Sequence, residues 1–152
     1  MVVTMGLDCR IVAVPKHPKN HVIGIRDVSP FLEDDYFKEL PDAWSTEPTY
    51  KVFNEDVYYC RKNWYLFDFV AQHYAKALKA YSLDSNGCYL LLTRDIIEEY
   101  ISKLKEDGTK GFHEKTDDIY TLYNIELNRM IRLKDVMEMY EEFLDFYFEG
   151  DY

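Results

Sequence analysis

The sequence predicts an α+β fold: a mostly helical single domain spanning residues 1–152, with a small β-sheet and a central aromatic-rich helix. Three observations predict it. Residues 6–14 are rich in β-branched side chains and stop at Pro15, which reads as a strand. Apolar residues recur at helical spacing from Cys60 to Leu78, and again after Thr93. Aromatic residues make up 16% of the chain, with 14 Tyr and 9 Phe, so the core has to be built largely from rings.

Each element has its own local reason. After the strand, residues 15–53 contain all five prolines (Pro15, Pro18, Pro30, Pro41, Pro48). Proline removes a backbone donor and fixes φ, so this stretch is expected to be irregular. Ser29 and Pro30 suit the start of one short helix over 29–40. Asn54 reads as the cap of a long helix over 55–79. Its stripe is Cys60, Trp64, Phe67, Ala71, Tyr74 and Leu78, and Asn86-Gly87 ends the region.

Cys88-Tyr89-Leu90-Leu91-Leu92 is a short apolar run, expected as a buried strand. Thr93 caps a helix whose apolar face is Ile96, Ile97, Tyr100, Ile101 and Leu104, with Gly108 as its stop. Thr116 opens another helical pattern through Tyr120, Tyr123, Leu127, Met130 and Ile131. A last pattern (Leu133, Val136, Tyr140, Phe143, Tyr147) predicts an acidic C-terminal helix within 135–152, set off by a kink or short turn near Arg132 to Asp135.

Charge is unevenly spread. The net charge is −10, from 18 basic and 28 acidic residues. Residues 27–59 carry −7 and residues 135–152 carry −7, whereas residues 1–26 and 60–82 each carry +3. This balance argues against direct nucleic-acid binding, which needs Lys and Arg in excess. No apolar run reaches the length of a membrane span. The N-terminal residues lack the basic-then-apolar pattern of a secretory signal. Three scattered cysteines (Cys9, Cys60, Cys88) read as reduced thiols. Together these features predict a cytoplasmic protein.

The search for chemistry excludes more than it finds. His17 and His21 have i, i+4 spacing, but Pro18 lies between them and no zinc motif surrounds them, so no metal site is expected. With six Gly and no Gly-rich phosphate loop, no nucleotide cofactor is expected either. The paired carboxylates (Asp34-Asp35, Glu98-Glu99, Asp117-Asp118, Glu141-Glu142) are too numerous to single out an acid–base dyad, so no catalytic residue is assigned. One basic cluster stands out: Arg61, Lys62 and Asn63 beside Tyr58, Tyr59 and Trp64.

Met5-Gly6-Leu7-Asp8, Tyr59-Cys60-Arg61-Lys62, Phe69-Val70, Tyr89-Leu90-Leu91-Leu92 and the stretch from Asp118 to Phe146 resemble a group of small phage-encoded proteins of unknown function that begin Met-Gly-Leu-Asp. Where that group carries an Asn and a His after Arg-Lys, this chain has Trp64 and Phe67. The resemblance implies a phage origin and a bacterial host cytoplasm, and implies no particular reaction.

Two functional expectations follow. The first is a non-enzymatic phage accessory protein that binds and inhibits a host protein with a basic surface, such as a nuclease, a defence factor or a transcription factor. It would present a DNA-mimicking acidic surface built from Glu138, Glu141, Glu142, Asp145, Glu149, Asp34 and Asp35. The second is a small enzyme or nucleotide-binding protein. Its pocket would lie between strand 6–14 and helix 55–79, lined by Asp8, Tyr59, Arg61, Lys62 and Asn63.

Overall fold

The computed structural model describes residues 6–16, 23–24, 56–111, 119–142 and 144–152. The helix expected over 29–40, the Thr116 cap, and Asp34 and Asp35 lie outside these residues.

The architecture is α+β: an antiparallel sheet packs one face against the described helices. The strands are β1 (Asp8–Pro15), β2 (Ile23–Gly24), β3 (Asp56–Arg61), β4 (Tyr89–Leu92) and β5 (Leu144–Asp151). Their spatial order is β2-β4-β5-β1-β3, and every neighbouring pair is antiparallel. The helices are α1 (Trp64–His73), α2 (Ala75–Ala80), α3 (Arg94–Asp107) and α4 (Ile119–Tyr140).

The pairing of β1 with β5 organises the sheet. Cys9 stands opposite Gly150, Ile11 opposite Phe148 and Ala13 opposite Phe146, so these residues share the face that meets the helices. The intervening positions Val12, Val14, Tyr147 and Glu149 are also buried. These two strands are therefore buried on both faces. The aromatic α1 is central to the core: Phe67 packs edge-on against Phe148 of the sheet with ring centroids 6.3 Å apart, and Phe69 meets Tyr100 of α3 at 5.2 Å.

Several sequence expectations hold. β1 and β4 form where strands were expected. Thr93 caps α3, its side chain accepting from the Ile96 N–H at 3.3 Å. Gly108 ends the helix at φ 57°, a backbone conformation that costs a glycine least.

Three expectations are corrected. First, 55–79 is not one helix. Residues 56–61 are an edge strand, with Tyr58 buried and Val57, Tyr59 and Arg61 exposed. The helix cap is Asn63 rather than Asn54; its Oδ1 accepts from the Leu66 N–H at 3.1 Å. Lys62, at φ 59°, makes the left-handed turn between strand and helix. The helical run breaks again at Tyr74, whose hydroxyl donates to the Leu91 carbonyl.

Second, α4 continues as helix through Arg132 to Asp135, so no turn divides it there. Third, the C-terminal helix does not exist past Tyr140. After Glu141 and Glu142, the chain returns as β5 in the middle of the sheet. Phe146, Tyr147 and Phe148 are consecutive rings that need burial on opposite sides, and an interior strand supplies this whereas an amphipathic helix does not.

Candidate functional site

Three buried polar or charged residues stand out among those described: Asn63, Glu126 and Glu149. Two of them meet in one network. Glu126, on α4, is 4% exposed. Its carboxylate accepts from the Tyr58 hydroxyl at 2.8 and 3.1 Å, from Asn63 Nδ2 at 2.6 Å and from the Tyr100 hydroxyl at 2.7 Å. Asn63 Nδ2 also reaches the Tyr58 hydroxyl oxygen at 2.9 Å. The donors come from β3, the β3–α1 turn and α3, so one carboxylate ties four elements together.

The electrostatics of this cage follow from burial. Desolvation pushes the Tyr58 and Tyr100 hydroxyls well above the usual phenol range, and the Glu126 carboxylate adds to the shift. Both therefore stay protonated and donate. Arg129, one turn on from Glu126, holds its guanidinium 4.2 Å above the Tyr58 ring and donates to the Tyr59 carbonyl. With three side chains already donating to it, the carboxylate acts as the anchor of a polar core, and the arrangement assigns it no acid–base role.

Two thiols border the cage. Cys9 is fully buried and lies directly opposite half-buried Cys60 across the β1–β3 pair. Burial pushes the Cys9 thiol up to about 12, with Cys60 and then Glu126 contributing. Burial and Glu126 raise the Cys60 thiol, while the Tyr58 hydroxyl and the Arg129 guanidinium pull it down.

The expected pocket residues are divided between two places in the structure. Asp8, Tyr59 and Arg61 gather at the end of β1 and β3: the Tyr59 hydroxyl donates to Asp8 Oδ1 at 2.7 Å, and Arg61 Nε lies 4.0 Å from the same oxygen. Arg10 stacks over the Tyr59 ring at 5.2 Å. Asn63, however, is buried in the Glu126 cage, and Lys62 is exposed at the turn.

The expected acidic face is also redistributed. Glu138 and Glu141 flank Arg94 at 3.9 and 2.8 Å. Glu142 is exposed in the turn after α4. Asp145 and Glu149 belong to β5, where Glu149 is buried and lies 3.8 Å from Arg10. These five carboxylates therefore do not share a helix face.

A different acidic surface emerges on α3. Asp95, Glu98, Glu99, Ser102 and Glu106 line a shallow open groove of about 690 Å³, with Phe69 and Lys103. The four carboxylates are exposed. Lys134 reaches Glu98 at 3.3 Å and His73 reaches Glu99 at 3.1 Å, both from the flanks. Lys103 is engaged by Asp107 at 3.3 Å. In the sequence Glu98-Glu99 is one of several acidic pairs and does not stand out. The i, i+3 and i+4 spacing of Asp95, Glu98 and Glu99, with Glu106 two turns beyond Glu99, is the signal the sequence carries.

Among the described residues, no group of His, Cys, Asp and Glu is arranged to hold a metal ion, and no helix is long and apolar enough to cross a membrane. Comparison with family models, with curated proteins and with solved structures finds no match to this chain.

Proposed function

We propose that this protein acts by binding rather than by catalysis, using an acidic surface to engage the basic face of another protein. The observation that carries the reading is the α3 groove. Asp95, Glu98, Glu99 and Glu106 present exposed carboxylates along one helix, with the Phe69 ring beside them. Neighbouring carboxylates at i, i+3 and i+4 stand about 5–6 Å apart at Cβ. Such a row offers Lys and Arg side chains an alternative to phosphates, and complementary charge favours fast, specific encounter. With the resemblance to small phage-encoded proteins, this supports a host protein that normally grips nucleic acid as the target, held and inhibited by the acidic surface.

The test is capture from bacterial lysate with elution by a salt gradient, followed by titration of the purified partner. The triple variant Glu98→Lys, Glu99→Lys, Glu106→Lys is expected to lose affinity by more than about tenfold while keeping its circular dichroism and Tm, and wild-type affinity is expected to fall with salt. Undiminished affinity in a folded triple variant would overturn the groove assignment.

A second reading, a small-ligand site, draws on the convergence of Asp8, Tyr59 and Arg61. A thermal shift with nucleotides, lost in Arg61→Ala, would favour it over the first.

A further inference from the structure

We propose that Cys9 and Cys60 form a reversible cross-strand disulfide by exchange with a low-molecular-weight disulfide such as oxidised glutathione. This goes beyond the binding reading and does not depend on it.

The geometry comes from the sheet register. Cys9 and Cys60 are Cα partners in the antiparallel β1–β3 pair, in line with Asp8 opposite Arg61 and Arg10 opposite Tyr59. The register shift in this pair falls later, between Ile11 and Val12, so the two cysteines lie in its regular part. Directly opposed residues project from the same face. Their Cα atoms stand about 4.5 or 5.5 Å apart, depending on the type of pair. Both separations fall within the roughly 4.4–6.8 Å that a disulfide spans. Both thiols are free.

Exposure sets the order of events. Cys9 is completely buried, whereas Cys60 on the edge strand is half-buried. Cys60 is therefore the sulfur that an external disulfide reaches. Its thiolate attacks one sulfur of the small disulfide and expels one small thiolate, leaving a mixed disulfide on Cys60. The Cys9 sulfur, already across the ladder, then attacks the Cys60 sulfur. It loses its proton and expels the second small thiolate. Two electrons pass from the two protein thiols to the small disulfide, which becomes two thiols. The third cysteine, Cys88, lies just before β4 with its thiol 2.9 Å from the Asp84 carbonyl, and takes no part.

The bond would fasten the edge strand to β1 beside Tyr58, a donor to Glu126. It would close a chain loop from residue 9 to residue 60, long enough for a sizeable entropic stabilisation.

The test treats the full-length protein with oxidised glutathione, then counts free thiols and maps peptides by mass spectrometry without reduction. The proposal expects one remaining thiol, at Cys88, and a Cys9–Cys60 peptide pair lighter by two hydrogens. It also expects a Tm about 5–10 °C higher that returns to the starting value with reductant. Cys88→Ser should still form the bond; Cys60→Ser should leave Cys9 reduced. Glutathione retained on Cys60 with Cys9 still free, or any protein disulfide that includes Cys88, would overturn it. So would an oxidised form that melts below the reduced one.

Discussion

Gly150 in β5 lies directly against the Phe67 ring of α1, and a Cβ added at residue 150 would overlap that ring. The contact brings the central strand and the aromatic helix together, because Gly150 also pairs with Cys9 and its carbonyl accepts from the Gly87 N–H at 2.8 Å. The backbone is held from two sides, so the ring has to move if the glycine gains a side chain.

Gly150→Ala is therefore expected to destabilise the protein by about 1–3 kcal/mol, the usual cost of overpacking a well-filled core. Urea unfolding checks this. Phe67→Leu in the same chain should recover part of the loss, because it removes the atoms in conflict; strictly additive losses would show that the two sites are uncoupled.

Replacing Glu126 by Gln is expected to cost about 2–4 kcal/mol. The neutral amide replaces one of the two acceptor oxygens by a donor and removes the charge that strengthens the bonds from Tyr58, Asn63 and Tyr100. Tyr58→Phe and Tyr100→Phe should each cost about 1–2 kcal/mol. Their double variant is expected to deviate from additivity, since both hydroxyls serve one carboxylate. Denaturant midpoints on the four proteins test this.

Stability should fall in alkali. Burial, reinforced by Glu126, raises the Tyr58 and Tyr100 hydroxyls above their unfolded value. A group raised in the folded state contributes stability that is fully present below the unfolded pKa, near 10 for tyrosine, and is lost as pH rises past it. The Cys9 thiol, held up to about 12, acts in the same direction from its own lower starting point. Tm is expected to begin falling as pH climbs past the ordinary cysteine and tyrosine values, and Tyr58→Phe should flatten that fall. A Tm that is level through strong alkali would contradict the buried cage.

Arg94 links the start of α3 to the end of α4 through Glu138 and Glu141, all partly exposed. Arg94→Ala is expected to cost no more than about 1 kcal/mol, and the difference from wild type should shrink in high salt. A large, salt-independent loss in thermal unfolding would mean that the residue packs rather than pairs.

Much of the fold was legible where local chemistry and burial agree. Thr93, the apolar face of α3 and Gly108 mark a complete helix from cap to stop, and they do so in order along the chain. The β-branched run of β1 was equally plain. The misreadings share a cause. Tyr140, Phe143 and Tyr147 fit a helical period, yet Phe146, Tyr147 and Phe148 also suit a strand buried on both faces, and only the place beside β1 decides between them. Cys60 and Trp64 likewise fit a helical stripe, although Cys60 lies within β3 and Asn63 caps the helix that Trp64 begins.

The sequence by itself determined the class, the charge, the local caps and the ring-rich core, because those follow from composition and from neighbours a few residues apart. Tertiary structure decided which residues meet. Glu126 is brought to Tyr58, 68 residues away in the chain, and to Tyr100, 26 away; Glu149 is drawn out of an imagined acidic face into the sheet beside Arg10; and four exposed carboxylates of α3 come to line one groove with Phe69 of α1. Long-range pairing of this kind depends on which surfaces are buried together, and local periodicity carries no record of that.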